Sequence, residues 1–214
     1  MGLFSSKSSR SFSGAWTILV LGLAAAASMS ATSAALHPLT QGLRDPELVE
    51  IPTYIFLVFI CIAIHEFGHV AAGKIAGWRI HSITVGLLSY VPEKRKFVVV
   101  KRDALRLFSG FVTATPPPDA RWQGAALFIL GGCIANFLLA AMTLPFIDQL
   151  RKNWDSSTVL PALLGSLAIV SATMGIANLI PFSGFAGLRS DGMRLCELIV
   201  RRLSPARRRK RKPA

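Results

Sequence analysis

The stretch "CIAIHEFGHVAAGKIAGW", Cys61 to Trp78, sets two histidines and a glutamate at the end of a strongly apolar run. His65 and His69 are four residues apart, so on a helix their rings project the same way from successive turns and can share one metal ion. Glu66 follows the first histidine and can approach a water on that ion without being a ligand itself. It is also the only formally charged side chain inside any apolar segment of the chain. A carboxylate at that depth costs on the order of 3 kcal/mol by insertion scales. Two core histidines beside a purposeless glutamate therefore explain the stretch poorly. A catalytic zinc site adds a third protein donor and keeps a fourth position for water.

The elements that must carry these groups read as membrane helices. Of 214 residues 52% are hydrophobic and 16% charged, and the mean hydropathy is +0.49, which is not the balance of a soluble domain. Four apolar segments suffice to cross a core about 30 Å thick at about 1.5 Å per residue: roughly Ala15 to Leu36, Ile51 to Gly73, Ala125 to Phe146 and Val159 to Pro181. Basic residues are dense before the first segment, between Lys74 and Arg121 and beyond Pro181, and sparse or balanced by acids in the two remaining loops. By the positive-inside rule both termini and the Lys74 to Arg121 region face the cytoplasm. The second segment then runs inward and places His65 about 21 Å down, within about 10 Å of the cytoplasmic boundary. The first segment also fits a cleavable signal peptide, with "SMSATSAA" after its apolar core. We expect it to be retained, and the remaining topology is the same in either case.

Topology narrows the search for the third donor. His37, Asp148 and Asp155 belong to loops on the opposite face. Asp191 follows the fourth span on the cytoplasmic side, in a glycine-containing segment able to fold back toward the helices, and His81 is a distant second. Without a partner, an Asp-Gly pair is simply a turn or a helix N-cap. In the third span Gly131, Gly132 and Ala135 permit close helix approach, and Asn136 is a buried amide that could serve as interhelical glue. Between the second and third spans "HSITVGLLSYV" and "KFVVV", parted by the charged turn "PEKRK", read as a small cytoplasmic-side β-ribbon. Leu195, Leu198 and Ile199 recur at helical spacing on a short segment expected at the membrane surface. Cys61, Cys133 and Cys196 read as isolated small hydrophobes, with no spaced metal pair among them. The net charge of +13 and eight bases in the last fourteen residues point to anionic lipid headgroups at the tail rather than to nucleic acid.

Taken together, His65, Glu66 and His69, the "GGCIANFLLA" segment with Asn136, and Asn178, Pro181, Asp191 and Gly192 resemble the three ordered motifs of the site-2 protease family of intramembrane zinc metalloproteases. The likeness spans Ile51 to Leu203. It implies an all-α multi-pass membrane protein with about four transmembrane helices, three of them forming the metalloprotease core, and the β-ribbon beside them. It further implies one Zn2+ ion held by His65, His69 and Asp191, Glu66 as the catalytic base, and Asn136 and Asn178 positioning an extended substrate. The substrates would be transmembrane proteins, added as a strand to an edge of the β-rich segment. In this chain "PFSGFAGLRSDG" separates Pro181 from Asp-Gly by more residues than the compact form of the motif, so the Asp191 assignment requires that loop to fold back. Residues 1–50 are expected as an N-terminal segment with the first span, 51–203 as the protease core and 204–214 as a basic cytoplasmic tail, in what is by default a plasma-membrane protein. The competing reading is a catalytically inactive membrane scaffold that keeps a structural metal, and Glu66 argues against it.

Overall fold

A computed structural model describes residues 6–101, 107–152, 159–183 and 189–203. Asp155 and the basic tail lie outside the described residues. The chain is mostly helical: α1 (Ser6–Thr40), α2 (Glu47–Ile75), α3 (Trp122–Lys152), α4 (Val159–Leu179) and the short α5 (Asp191–Leu203). Four stretches are long and apolar enough to cross a membrane, Ile18–His37, Glu47–Ile75, Trp122–Phe146 and Val159–Leu179, within a few residues of those read from hydropathy. Helix α2 begins at Glu47, four residues before the apolar run that opens at Ile51. Glu47 and Glu50 in its first turn suit the positive helix end, and Pro52, one turn further in, forfeits the bond that an N–H there would give the Leu48 carbonyl.

Helix α2 ends where glycine allows it to. Gly77 adopts φ +74°, its N–H bonds Lys74 O at 3.1 Å and that of Trp78 bonds Gly73 O at 2.8 Å. This is the two-bond left-handed termination for which glycine is the preferred residue. The Trp78 ring then stacks on Phe128 of α3, with centroids 4.4 Å apart.

The expected ribbon is a four-stranded antiparallel sheet in the order β3-β2-β1-β4. "HSITVGLLSYV" does not form one strand. It folds into β1 (Arg79–Val85) and β2 (Leu88–Val91) about a two-residue turn at Gly86, whose φ is +56°. "KFVVV" supplies β3 (Lys96–Val99), paired with β2. The fourth strand, β4 (Gly110–Thr115), pairs with β1. After the opening glycine, Phe111, Val112, Thr113 and Thr115 are all strand-favouring residues. Val70, Ile80 and Val112, with Ile83, Ala114 and Phe128 packed around them, join the sheet to α2 and α3.

The long helices pack through small residues. Helix α3 lies between α2 and α4, and α1 rests on α4 and α2. At the α2–α3 crossing a Cβ on Gly68 would collide with the Gly131 carbonyl, and one on Gly131 would come within 2.5 Å of Gly68 O and 2.6 Å of Ala72 Cβ. The two backbones therefore touch, as small residues allow in apolar surroundings.

Candidate metal centre

Three elements meet at the centre. One face of α2 buries His65, Glu66 and His69. Directly across the seam, Gly132 of α3 leaves room for the imidazoles: a Cβ there would lie 2.5 Å from His65 Nε2 and 2.6 Å from His69 Nε2. The third element is the start of α5. Ser190 caps it, its Oγ accepting the N–H of Met193 at 3.1 Å and that of Phe182 at 3.0 Å. The Ser190 N–H bonds Phe182 O at 3.2 Å, and Ser183 pairs with Arg189 in an isolated antiparallel bridge. These bonds draw the two ends of the long Pro181-to-Asp191 connection together and turn Asp191 toward α2. Gly192 permits the approach, because a Cβ there would run into the Leu179 carbonyl.

The resulting geometry is a triangle. Asp191 Oδ2 is 3.0 Å from His65 Nε2 and 3.3 Å from His69 Nε2, and the two Nε2 atoms are 3.1 Å apart. Donors about 2.0–2.2 Å from one tetrahedral ion stand about 3.3 Å from one another, so the set has the size of a zinc site. All three residues are buried. The proton placement agrees for His69, whose Nδ1 is 2.7 Å from the Phe128 carbonyl. A carbonyl only accepts, so Nδ1 carries the hydrogen and Nε2 presents a lone pair to the other two donors. Burial alone would raise the pKa of the Asp191 carboxyl, but protons on the two imidazoles, or a cation in their place, more than reverse this and hold it well below the usual carboxylate range. It is thus an anion at neutral pH. An imidazole lone pair facing a carboxylate oxygen across about 3 Å is an arrangement that a cation completes.

Glu66 shares a cavity of about 360 Å³ with these residues, walled also by α1, α4 and the start of β4. A Cβ on Gly110 would overlap the Glu66 carboxylate, so the strand seats the acid through its one side-chain-free position. Asn178 lines the same cavity, while its amide nitrogen bonds Met174 O at 3.1 Å. Asn136 is fully buried, beside His65, with its Nδ2 3.4 Å from His65 Nδ1.

The alternative donors lie elsewhere. His81 bonds Thr115 Oγ1 at 2.8 Å and faces Glu93 at 3.4 Å, Asp148 pairs with Lys152, and His37 is exposed. Glu197 pairs with Arg189 at 3.0 Å. The cysteines are not all inert hydrophobes. Cys196 is exposed, and the Cys133 thiol points at Asp191 Oδ2 from 3.7 Å. Sequence reasoning also passed over Gly68, Gly110 and Arg194, whose guanidinium stands 3.8 Å from Asp191 Oδ1. For Gly110 a signal existed, since a lone glycine opening a β-branched run marks close backbone approach.

Comparison with known proteins bears on the segment that carries the two histidines. Residues 53–153 match the model of peptidase family M50. A protein of Rhizobium meliloti (strain 1021) named "Putative zinc metalloprotease" is 31% identical over 119 residues, covering 42% of this chain and 31% of that relative. The chain thus spans about a third of the length of the relative it matches. No solved structure matches it. The segment that carries His65, Glu66, His69 and Asn136 is thus similar to peptidase family M50, the site-2 protease family.

Proposed function

We propose that this protein is a zinc-dependent endopeptidase that hydrolyses peptide bonds within or next to transmembrane segments of membrane proteins. The observation that carries the reading is the buried triangle of His65, His69 and Asp191, with a carboxylate that ligation does not need, Glu66, in the same cavity. His65, His69 and Asp191 would hold the ion. When bound, zinc supplies a Lewis acid and lowers the pKa of water to near neutrality. Glu66 takes the proton of the attacking water and delivers it to the departing amine. Asn178, which lines the cavity, orients the substrate backbone.

The substrate class follows from where the histidines sit, on a helix long and apolar enough to cross a membrane. A substrate helix must unwind locally before its amides can reach the centre, since helical hydrogen bonds shield the backbone. The unwound strand can then add to the edge of β4, whose Gly110 and Phe111 line the cavity. We place the active site toward the cytoplasmic face of a plasma-membrane protein, with the basic tail against anionic headgroups.

Glu66→Gln should lower cleavage of a membrane-embedded reporter by about 10²–10⁴-fold while zinc content and protein level stay unchanged. Asp191→Ala should lose the zinc as well as the activity. Full activity in the Gln variant would remove Glu66 as the base. A metal-loaded wild type that cleaves no membrane segment would leave the inactive-scaffold reading.

A further inference from the structure

The two histidines of α2 face the same ion but are held by different means. His69 has a main-chain carbonyl behind it, which dictates its tautomer. Behind His65 stands the side-chain amide of Asn136, 0% exposed, with Nδ2 3.4 Å from His65 Nδ1 and Oδ1 without a hydrogen-bond donor among the described residues. The two orientations of an amide differ only by a half-turn that exchanges its nitrogen and oxygen. We propose that Asn136 is a positioning residue of the metal centre, its side-chain carbonyl accepting the Nδ1–H of His65 and so keeping the His65 Nε2 lone pair turned toward His69 and Asp191.

The chemistry of the ring decides between the two amide orientations. A neutral imidazole has one N–H and one lone pair. If the amide NH2 faced Nδ1, the proton of His65 would sit on Nε2, where it would occupy the ligand position. With the amide turned, Oδ1 takes the Nδ1–H, the buried oxygen gains the donor it lacks, and Nε2 is free to ligate. Ligating histidines characteristically donate their second N–H to an acceptor of this kind, which fixes ring orientation and raises ligand basicity.

Two further observations agree. Asn136 does not line the cavity that Asn178 lines, so its side chain addresses α2 rather than the space open to substrate. Its own backbone is pinned as well: Ser171 of α4, itself 0% exposed, donates from Oγ to the Asn136 carbonyl at 2.9 Å. The amide is therefore held between α2 and α4 at a defined height on α3. Its replacement would free the His65 ring to turn.

This inference rests on the metalloprotease reading, and its test separates the two. Zinc affinity of the full-length protein in detergent is measured by chelator competition for wild type, Asn136→Asp and Asn136→Leu, with thermal melting of each metal-free form alongside. Asn136→Leu should weaken zinc binding about 10–100-fold with the metal-free melt little changed. Asn136→Asp, which restores an acceptor, should bind zinc as tightly as wild type or more so. This rescue is not expected of a residue that only fills space. If the Leu variant does not accumulate, the Asp variant decides alone, and a tenfold loss of zinc affinity in it overturns the proposal. Undiminished zinc affinity in Asn136→Leu, with cleavage lost, would make Asn136 a substrate contact and leave the proposed function standing. A wild type that binds no zinc would overturn both.

Discussion

Helix α2 meets its two flanking helices in opposite ways. Against α3 it presents glycine to glycine: Gly68 and Gly131 bring the backbones into contact, and Gly132 faces the imidazoles. Against α1 it presents polar side chains: Glu50 accepts hydrogen bonds from Ser33 Oγ at 2.5 Å and Thr40 Oγ1 at 2.8 Å, and Tyr54 meets Ser28 Oγ at 2.9 Å. A backbone contact has no rotamers to relax, so the first seam fixes the distance between the helix that carries the two histidines and the helix that faces them. The second is made of side chains that can let go and reform. The centre is built on the rigid seam, and α1, whose Ser28 lines the cavity, closes it from the adjustable one.

The comparison breaks most visibly at Gly132. Alanine is a better helix former than glycine by about 1 kcal/mol, so Gly132→Ala should not harm α3 in itself. Its Cβ, however, would stand 2.5–2.6 Å from both Nε2 atoms. Zinc content of the purified variant should fall to background while the metal-free protein melts close to wild type. Stoichiometric zinc in this variant would mean that the seam has slack and that the glycine is there for other reasons.

The sheet offers the next largest effect. Gly110→Ala places a methyl against the Glu66 carboxylate, the group nearest to it. Reporter cleavage should fall by about 10²-fold or more, the scale of a misplaced general base, with zinc retained. The dissociation of activity from metal content is the point of the measurement. Equal loss of both would show that β4 supports the whole centre and not the base alone.

How much of this could be read from the chain depends on the range of the interaction. His65, Glu66 and His69 were legible because their arrangement is a property of one helix turn. The spans were legible because lipid demands long apolar runs. Asp191 was reachable only by combining topology with a resemblance, since the bonds that turn it inward, from Ser190 to Phe182 and Met193, are invisible as a pattern. The sheet was half legible: its hairpin has a glycine turn, but the strand-favouring residues of β4 were read only as part of the connection to α3. Gly110 carried a local signal, yet that it meets Glu66, and that the Phe128 carbonyl meets His69, could not be read from spacing, because each partner lies more than forty residues away in sequence.

The smallest effect belongs to the polar seam. Glu50→Gln keeps one acceptor oxygen and the shape of the side chain, so one hydroxyl bond survives without its charge and the other loses its acceptor to an NH2 donor. Hydrogen bonds to charged groups contribute about 1.5–3 kcal/mol, and the partial loss should cost about 1 kcal/mol, a shift of a few degrees in melting. Zinc affinity should not change, because neither Ser33 nor Thr40 reaches the centre. What should respond is the substrate. A loosened α1 alters one wall of the cavity, so KM for a membrane reporter should move several-fold while kcat holds, and Ser33→Ala should reproduce the direction at smaller size. If Glu50→Gln instead releases zinc, the two seams are mechanically joined through α2, and the distinction between a fixed side and an adjustable side fails.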